Sequence, residues 1–252
     1  MLALLAVLLL TVPDPAGDAR GDGSYVLPTL PPLTPAALDL RELKAESQGG
    51  KLRLSVGLGA VQNPWNAPLG YSAGVIDIFV KSRLGGASDL AGLGFVTPPG
   101  SGWQYHLRVS GFGSILEFVP DGSSKPQRRD VPLNVQLSGS TLVIDTPIPA
   151  GQDSYWVTMS LYSPFTPDGL LRPSSSGGAA SLVTPRSATG RGSAPIPVDV
   201  ISGDEQRRAY TLGVLTPVGQ TRDRRTVFLV GLGLLGLLVA VLATALSWRR
   251  HP

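Results

Sequence analysis

An all-β protein is predicted, an antiparallel β-sandwich carrying a single C-terminal transmembrane helix. Three observations predict it. Apolar and polar residues alternate with period two in one segment after another. Between them stand turns rich in glycine and proline, 31 and 23 residues of 252, with no helical pattern intervening. The third is one stretch, Thr226–Trp248, which reads TVFLVGLGLLGLLVAVLATALSW and holds neither charge nor proline.

The chain begins with an apolar run, MLALLAVLLLTV at 1–12. It is short for a membrane span and fits the apolar region of an export signal or a signal-anchor remnant. No basic residue precedes it and no Ala-x-Ala follows. A leucine run without β-branched alternation makes a poor core strand.

Next comes DPAGDARGDGSYVLPT at 14–29, in which Asp14, Asp18 and Asp22 recur every four residues among glycines. Glycine permits a sharply folded loop, and converging carboxylates suit a hard cation such as Ca²⁺. The spacing is not that of an EF-hand. A turn in which aspartates cap backbone N–H groups fits the same residues.

The strands follow. Residues 51–58, KLRLSVGL, put four apolar side chains inward and Lys51, Arg53 and Ser55 outward. Residues 74–81 set Ile76, Ile78 and Val80 against Asp77. Residues 103–109 set Trp103, Tyr105, Leu107 and Val109 against Gln104, His106 and Arg108, expected to be exposed. Further strands are expected at 114–119, 131–137, 140–145, 155–162, 197–202 and 208–215. In 155–162, Tyr155, Val157, Met159 and Leu161 oppose Trp156, Thr158, Ser160 and Tyr162. A Ser/Gly/Pro-rich excursion at 163–195 interrupts the rhythm and is expected to be partly mobile.

Residues 219–225 form a juxtamembrane segment, 226–248 the expected transmembrane helix and 249–252 a cytoplasmic tail. At about 1.5 Å per residue the apolar run matches a hydrocarbon core of roughly 30 Å. Trp248 and the flanking arginines suit the interface. The expected location is the cytoplasmic membrane, single-pass, with the N-terminal domain outside.

Composition removes several function classes. Five of the 21 Lys+Arg and one of the 18 Asp+Glu lie between 222 and 250, which leaves 16 against 17 for the rest. With no basic stripe there, nucleic acid is not an expected partner. The absence of cysteine excludes disulfides, zinc–thiolate sites and thiol catalysis. Haem is not expected, because His106 and Met159 fall on opposite strand faces. The carboxylates sit in turns and at strand ends, and no nucleophile motif accompanies them, so no enzyme is expected.

Four pieces carry a resemblance: DPAGDARGDGSYVLPT, LDLRELKAE at 38–46, GLGAVQNPWNAPLGYSAGVIDIFV at 57–80 and GSGWQYHLRVSGFG at 100–113. Together they resemble the C-terminal, DOMON-like module of bacterial glucodextranases and related starch- and pullulan-degrading enzymes, over roughly residues 13–218. The resemblance implies a non-catalytic sandwich related to carbohydrate-binding modules, which attaches enzymes to the cell surface or to glycan. It strengthens the calcium reading at Asp14 and Asp18. The module stands here without a catalytic companion, so its expected work is in trans or for the envelope itself.

Expected partners are therefore polysaccharide or envelope glycan, with a surface protein or a glycoside hydrolase in trans as further candidates. Sugar binding asks for flat aromatic rings beside hydrogen-bonding groups. Trp65, in QNPWNAPLG, and Trp156 and Tyr162, on the polar face of one strand, are the candidates. Each also fits a packing role. The alternative function is structural: a surface protein bound without sugar.

Overall fold

The structure, a computed structural model, describes residues 6–129, 131, 133–185, 194–202, 206–219, 232–233 and 235–237. Two units are separate, Met1–Gln220 and Thr221–Pro252.

Alternation builds the first sheet. In β3 (Lys51–Leu58), Leu52, Leu54, Val56 and Leu58 are buried and the residues between them are not. It is flanked by β2 (Leu40–Gln48) and β9 (Thr141–Pro149), which alternate in the same way where they pair with it. The β2–β3 hairpin turns on Gly49 and Gly50, both at positive φ, as a two-residue primed turn requires. At the edges stand β8 (Asn134–Ser138) and β1 (Ala6–Pro13), giving the order β1-β2-β3-β9-β8.

The second sheet runs β11 (Asp199–Ile201), β10 (Ser154–Leu161), β4 (Gly74–Lys81), β5 (Tyr105–Ser110), β6 (Gly113–Phe118) and β7 (Gln127–Arg129). A two-residue strand, β12 (Val218–Gly219), extends the β11 edge of β10. Both sheets are antiparallel and share one hydrophobic core. The all-β sandwich is thus present, with strands expected at 114–119, 131–137, 140–145 and 197–202 found as β6, β8, β9 and β11.

Several expectations need correction. Every residue of β4 and β10 is buried, so the polar face of this sheet is covered rather than exposed. Phe79 stacks on His106 at 4.2 Å and tilts against Trp103. The Trp103 Nε1 donates to the Asp89 carbonyl, and the Trp156 Nε1 to the Leu215 carbonyl. Asp77, Gln104 and His106 consequently lie inside. Period two identifies two faces, but it does not say what chain segments later lie across them.

The strand expected at 208–215 is instead a helix, α1 (Gln206–Leu212). Its buried residues are adjacent, Ala209 and Tyr210, a pattern that period two does not produce. In the Ser/Gly/Pro-rich excursion, Leu170 and Leu182 are buried and Val183 bridges Val26. Residues 186–193 lie outside the described residues.

The apolar N-terminus supplies β1, which pairs with β2 from Ala6 to Pro13. As an edge strand it is held by backbone bonds on one side, so Val7 and Leu8 remain more than half exposed. At the other end, the expected transmembrane helix is not supported. Among the described residues no helix is long and apolar enough to cross a membrane. A span needs about 20 helical residues. Within 226–248 the described helical residues are only 232–233 and 235–237, and the rest of that segment lies outside the described residues.

Candidate functional site

Two clusters of polar side chains stand out, at opposite extremes of charge balance. The first is acidic. Asp14 and Asp18 enter it from the loop after β1, and Asp199 opens β11. Their carboxylates offer ligand atoms that all lie within 4.8 Å of one another. Asp39, just before β2, completes the group and accepts from the Gly17 N–H at 2.9 Å and from Arg41 at 2.8 Å. Asp199 is wholly buried, and its two oxygens accept from the Leu40 and Val200 amides.

The loop is locked by its own backbone. Gly21 N–H donates to the Val198 carbonyl, and the Gln206 amide donates to the Asp18 and Gly21 carbonyls. Gly17, Gly21 and Gly23 take positive φ, which lets the chain fold back on itself. Asp14 Oδ2, Asp18 Oδ1, Asp39 Oδ1 and Gln206 Oε1 are buried without a hydrogen-bond partner. Burial, and after it the charges of Asp18 and Asp39, push Asp14 up to about 8. Burial and Asp14 push Asp199 up to about 9. Burial also raises Asp18 and Asp39. Four carboxylates thus converge on one guanidinium. Unpaired buried oxygens of this kind are the chemistry that a hard cation such as Ca²⁺ prefers. Asp14, Asp18 and Gln206 also line a cavity of about 400 Å³.

Asp22 does not join this group, which corrects the expected Asp14/Asp18/Asp22 triad. Its Oδ1 accepts from the Ser24 N–H and hydroxyl, so it caps the turn. Asp39 and Asp199 replace it. The sequence motif is local, whereas these ligand candidates come from elsewhere in the chain, so spacing alone did not reveal them.

The second cluster lies on the outer face of the larger sheet. His106 contacts Asp77 at 2.6 Å and Glu117 at 2.8 Å, and the Arg108 Nε donates to the same Asp77 oxygen at 2.7 Å. Burial would lower the His106 pKa, but its two carboxylate partners outweigh that and raise it. Burial would raise Asp77, yet His106 and Arg108 hold it below the usual carboxylate range. The His106 hydrogen bond also lowers Glu117. This network is balanced in charge.

Beside Arg108 a groove of about 380 Å³ lies between the β5–β6 hairpin tip and the loop 166–169. Its ring wall is Phe112 stacked on Tyr162, with centroids 5.0 Å apart and planes 28° apart. Gly111 makes this tip: a Cβ there would strike the Tyr71 carbonyl, so only glycine lets the hairpin sit so close. Phe112 is 48% exposed. Opposite, the Asp168–Arg172 ion pair and the Thr166 hydroxyl bond to the Ser163 carbonyl hold the loop.

Of the expected sugar-binding residues, Tyr162 lines this groove. Trp65 is half-buried and meets Phe165 edge-on at 6.0 Å, one residue before the groove wall at Thr166. Its loop is tied by Asn63, which accepts from the Ala67 N–H and the Ser72 hydroxyl. Trp156 is fully buried beneath Leu215 and offers no platform, which removes it from the set. Phe112 was missed, although an aromatic between two glycines at a hairpin tip is a signal of an exposed ring.

Residues 9–153, more than half the chain, match the family described as the C-terminal binding-module, SLH-like, of glucodextranase. The chain belongs to that family. The glucodextranase module is a binding module and not a catalytic domain. The match takes in the hairpin tip, Trp65, Asp14, Asp18 and Asp39, while Tyr162 and Asp199 lie beyond it. No curated protein matches the chain.

Proposed function

We propose that this module is non-catalytic and binds polysaccharide, with Tyr162, Phe112 and Trp65 as its ring surface. Its ligand is glycan of the cell envelope or glycan outside the cell, and it works outside the cytoplasmic membrane. A glycoside hydrolase in trans is the partner such a module would serve. The observation that carries the reading is the half-exposed Phe112 ring, backed by Tyr162 and set beside Arg108, Ser110 and Asp168. Rings and hydrogen-bonding groups together are what sugar recognition needs. The test is titration calorimetry of the protein with gluco-oligosaccharides and envelope polysaccharide. Binding that falls at least tenfold in Phe112→Ala supports the reading, and no heat with any glycan sinks it.

Ca²⁺ is the proposed cation of the acidic cluster, held by Asp14, Asp18 and Asp199, with Asp39 and Gln206 beside them. Support comes from the unpaired buried oxygens of this set. The cation would tie the loop 14–23 to β11 and so stabilise the fold.

A second reading has one observation of its own. Val7, Leu8 and Leu9 are exposed on edge strand β1, a surface suited to another protein rather than to sugar. Binding to a surface protein with no glycan affinity would favour it.

A further inference from the structure

We infer that the sugar site continues past the groove onto a second platform, Phe165 with Trp65 and Asn66, and that its ligand is a glycan chain long enough to lie across both. This rests on the carbohydrate reading above.

One end of the larger sheet brings the two platforms together. β4 begins at Gly74, paired with the last residue of β10, Leu161. At the same end β5 finishes, with Val109 beside Ile76 and Ser110 beside Gly113 of β6. The loop before β4, the 111–112 hairpin tip and the loop after β10 therefore leave this end side by side. Backbone bonds tie them to one another. The Leu69 N–H donates to the Gly111 carbonyl at 3.2 Å, and the Tyr162 N–H to the Ala73 carbonyl at 3.1 Å. Each of the three carries rings: Trp65 on the first, Phe112 on the second, Tyr162 and Phe165 on the third.

Phe165 is 84% exposed, more than any other large apolar side chain among the described residues. Its turn is closed by hydrogen bonds. The Ser163 N–H donates to the Gly169 carbonyl, the Gly169 N–H to the Thr166 carbonyl, and the Phe165 N–H to the Ser163 hydroxyl. The ring is thus held out toward solvent. A single exposed apolar side chain is ordinary, whereas neighbouring ones mark a binding surface. Here the neighbour is Trp65, met edge-on. Next in the chain, Asn66 is exposed at a φ of 53°, a conformation that asparagine tolerates better than most residues. Its N–H donates to the Asn63 carbonyl, while its carboxamide has no partner among the described residues. A carboxamide donates and accepts, as a sugar hydroxyl does. The second platform therefore repeats the pairing of rings with a hydrogen-bonding group.

The step between the platforms sets the length of the ligand. Thr166 lines the groove and Phe165 lies just outside it. A ligand confined to the groove meets only Phe112 and Tyr162. One that also reaches Phe165 runs out over Thr166. Tyr162 and Phe165 are three positions apart, so their Cα atoms are separated by at most about 11 Å, a gap that an oligosaccharide bridges. Once one unit is held, the next binds as an intramolecular partner, and affinity climbs with chain length.

The test is calorimetric titration of the whole protein with gluco-oligosaccharides and envelope-polysaccharide fragments, each graded from disaccharide to heptasaccharide. The expected result is an affinity at least tenfold higher for the heptasaccharide than for the disaccharide. Phe165→Ala should remove that gain and leave the disaccharide affinity unchanged, whereas Phe112→Ala should weaken every length. Asn66→Gly keeps the backbone free of strain and should lower the gain at least threefold. Both Asn66 and Phe165 are exposed, so an unchanged melting temperature will show that the variants are folded. An affinity that stays level from disaccharide to heptasaccharide overturns the extended-chain inference and leaves sugar binding intact. A gain that survives in both Phe165→Ala and Asn66→Gly overturns the second platform. If no oligomer binds, the carbohydrate reading itself falls.

Discussion

The two polar clusters are built from the same residue types and solve opposite problems. Around Asp77 two carboxylates meet an imidazole and a guanidinium, and each charge is answered within the protein. Around Asp199 four carboxylates meet one guanidinium, and several oxygens are left without partners. Burial is comparable, with Asp77 and Asp199 both fully enclosed. The pKa directions nevertheless differ in sign: Asp77 is lowered and Asp199 is pushed up to about 9. Burial alone therefore does not decide the state of a carboxylate; its partners do. One cluster matches its carboxylates with cations as folded, and the other holds carboxylates in excess of its one guanidinium.

The largest effect will come from breaking the balanced cluster. Asp77→Ala leaves His106 and Arg108 buried without their shared partner, and should cost about 3–5 kcal/mol in denaturant unfolding. A loss below about 1 kcal/mol would mean the network contributes little. The network also has a pH window. His106 is raised, so its contribution is full below its unfolded pKa near 6.5 and fades as pH rises through the folded value. Asp77 and Glu117 are lowered, so theirs is full above about 4–4.5 and fades as pH falls. Stability from this cluster should peak at about pH 4.5–6.5.

The acidic cluster should respond next. With Ca²⁺ at 100 times its dissociation constant, chelation should remove about 2.7 kcal/mol. Asp14→Asn should abolish that response and, in chelator, melt no lower than the parent, because its Oδ2 has no partner to lose. An identical melting curve with and without chelator would end the calcium proposal.

A third buried carboxylate lies between the two extremes. Asp153 has an unpaired Oδ2, and burial pushes it up to about 6. Its folded pKa lies above its unfolded one, so the unfolded chain gives up its proton first and stability falls between about pH 4 and 6. Asp153→Asn should therefore raise stability by about 1–3 kcal/mol at pH 7 and by nothing below pH 4. No gain at pH 7 would show that its environment is more polar than its burial indicates.

The smallest stability effect should come from Phe112→Ala, within about 0.5 kcal/mol because the ring sits on the surface. A larger drop would make Phe112 a packing residue and weaken its assignment to the groove.

The strands were readable because each side chain's face follows from its position parity, as in Lys51–Leu58. What lay over the second face was not, since Leu215 and Asp89 reach it from distant loops. That is why His106 and Trp156 were expected outside and lie inside. Local spacing singled out Asp14, Asp18 and Asp22; the first two do stand together with Asp199, and Asp22 caps a turn instead. Asp199 shares no motif with them and becomes a neighbour only through the fold. Strand parity singled out Tyr162, which lines the groove, but the place of Phe112 beside it depends on how one hairpin turn packs against Tyr71.

The locking of the 14–23 loop onto β11 and α1 also sets an order of assembly. Gly21 needs the Val198 carbonyl, and Asp18 needs Gln206, each more than 170 positions later. Contacts of such separation form late, because the intervening chain must first be organised. During synthesis the loop has no dock until β11 and α1 have emerged. A chain halted after β10 would hold most strands of both sheets and still leave its acidic loop undocked.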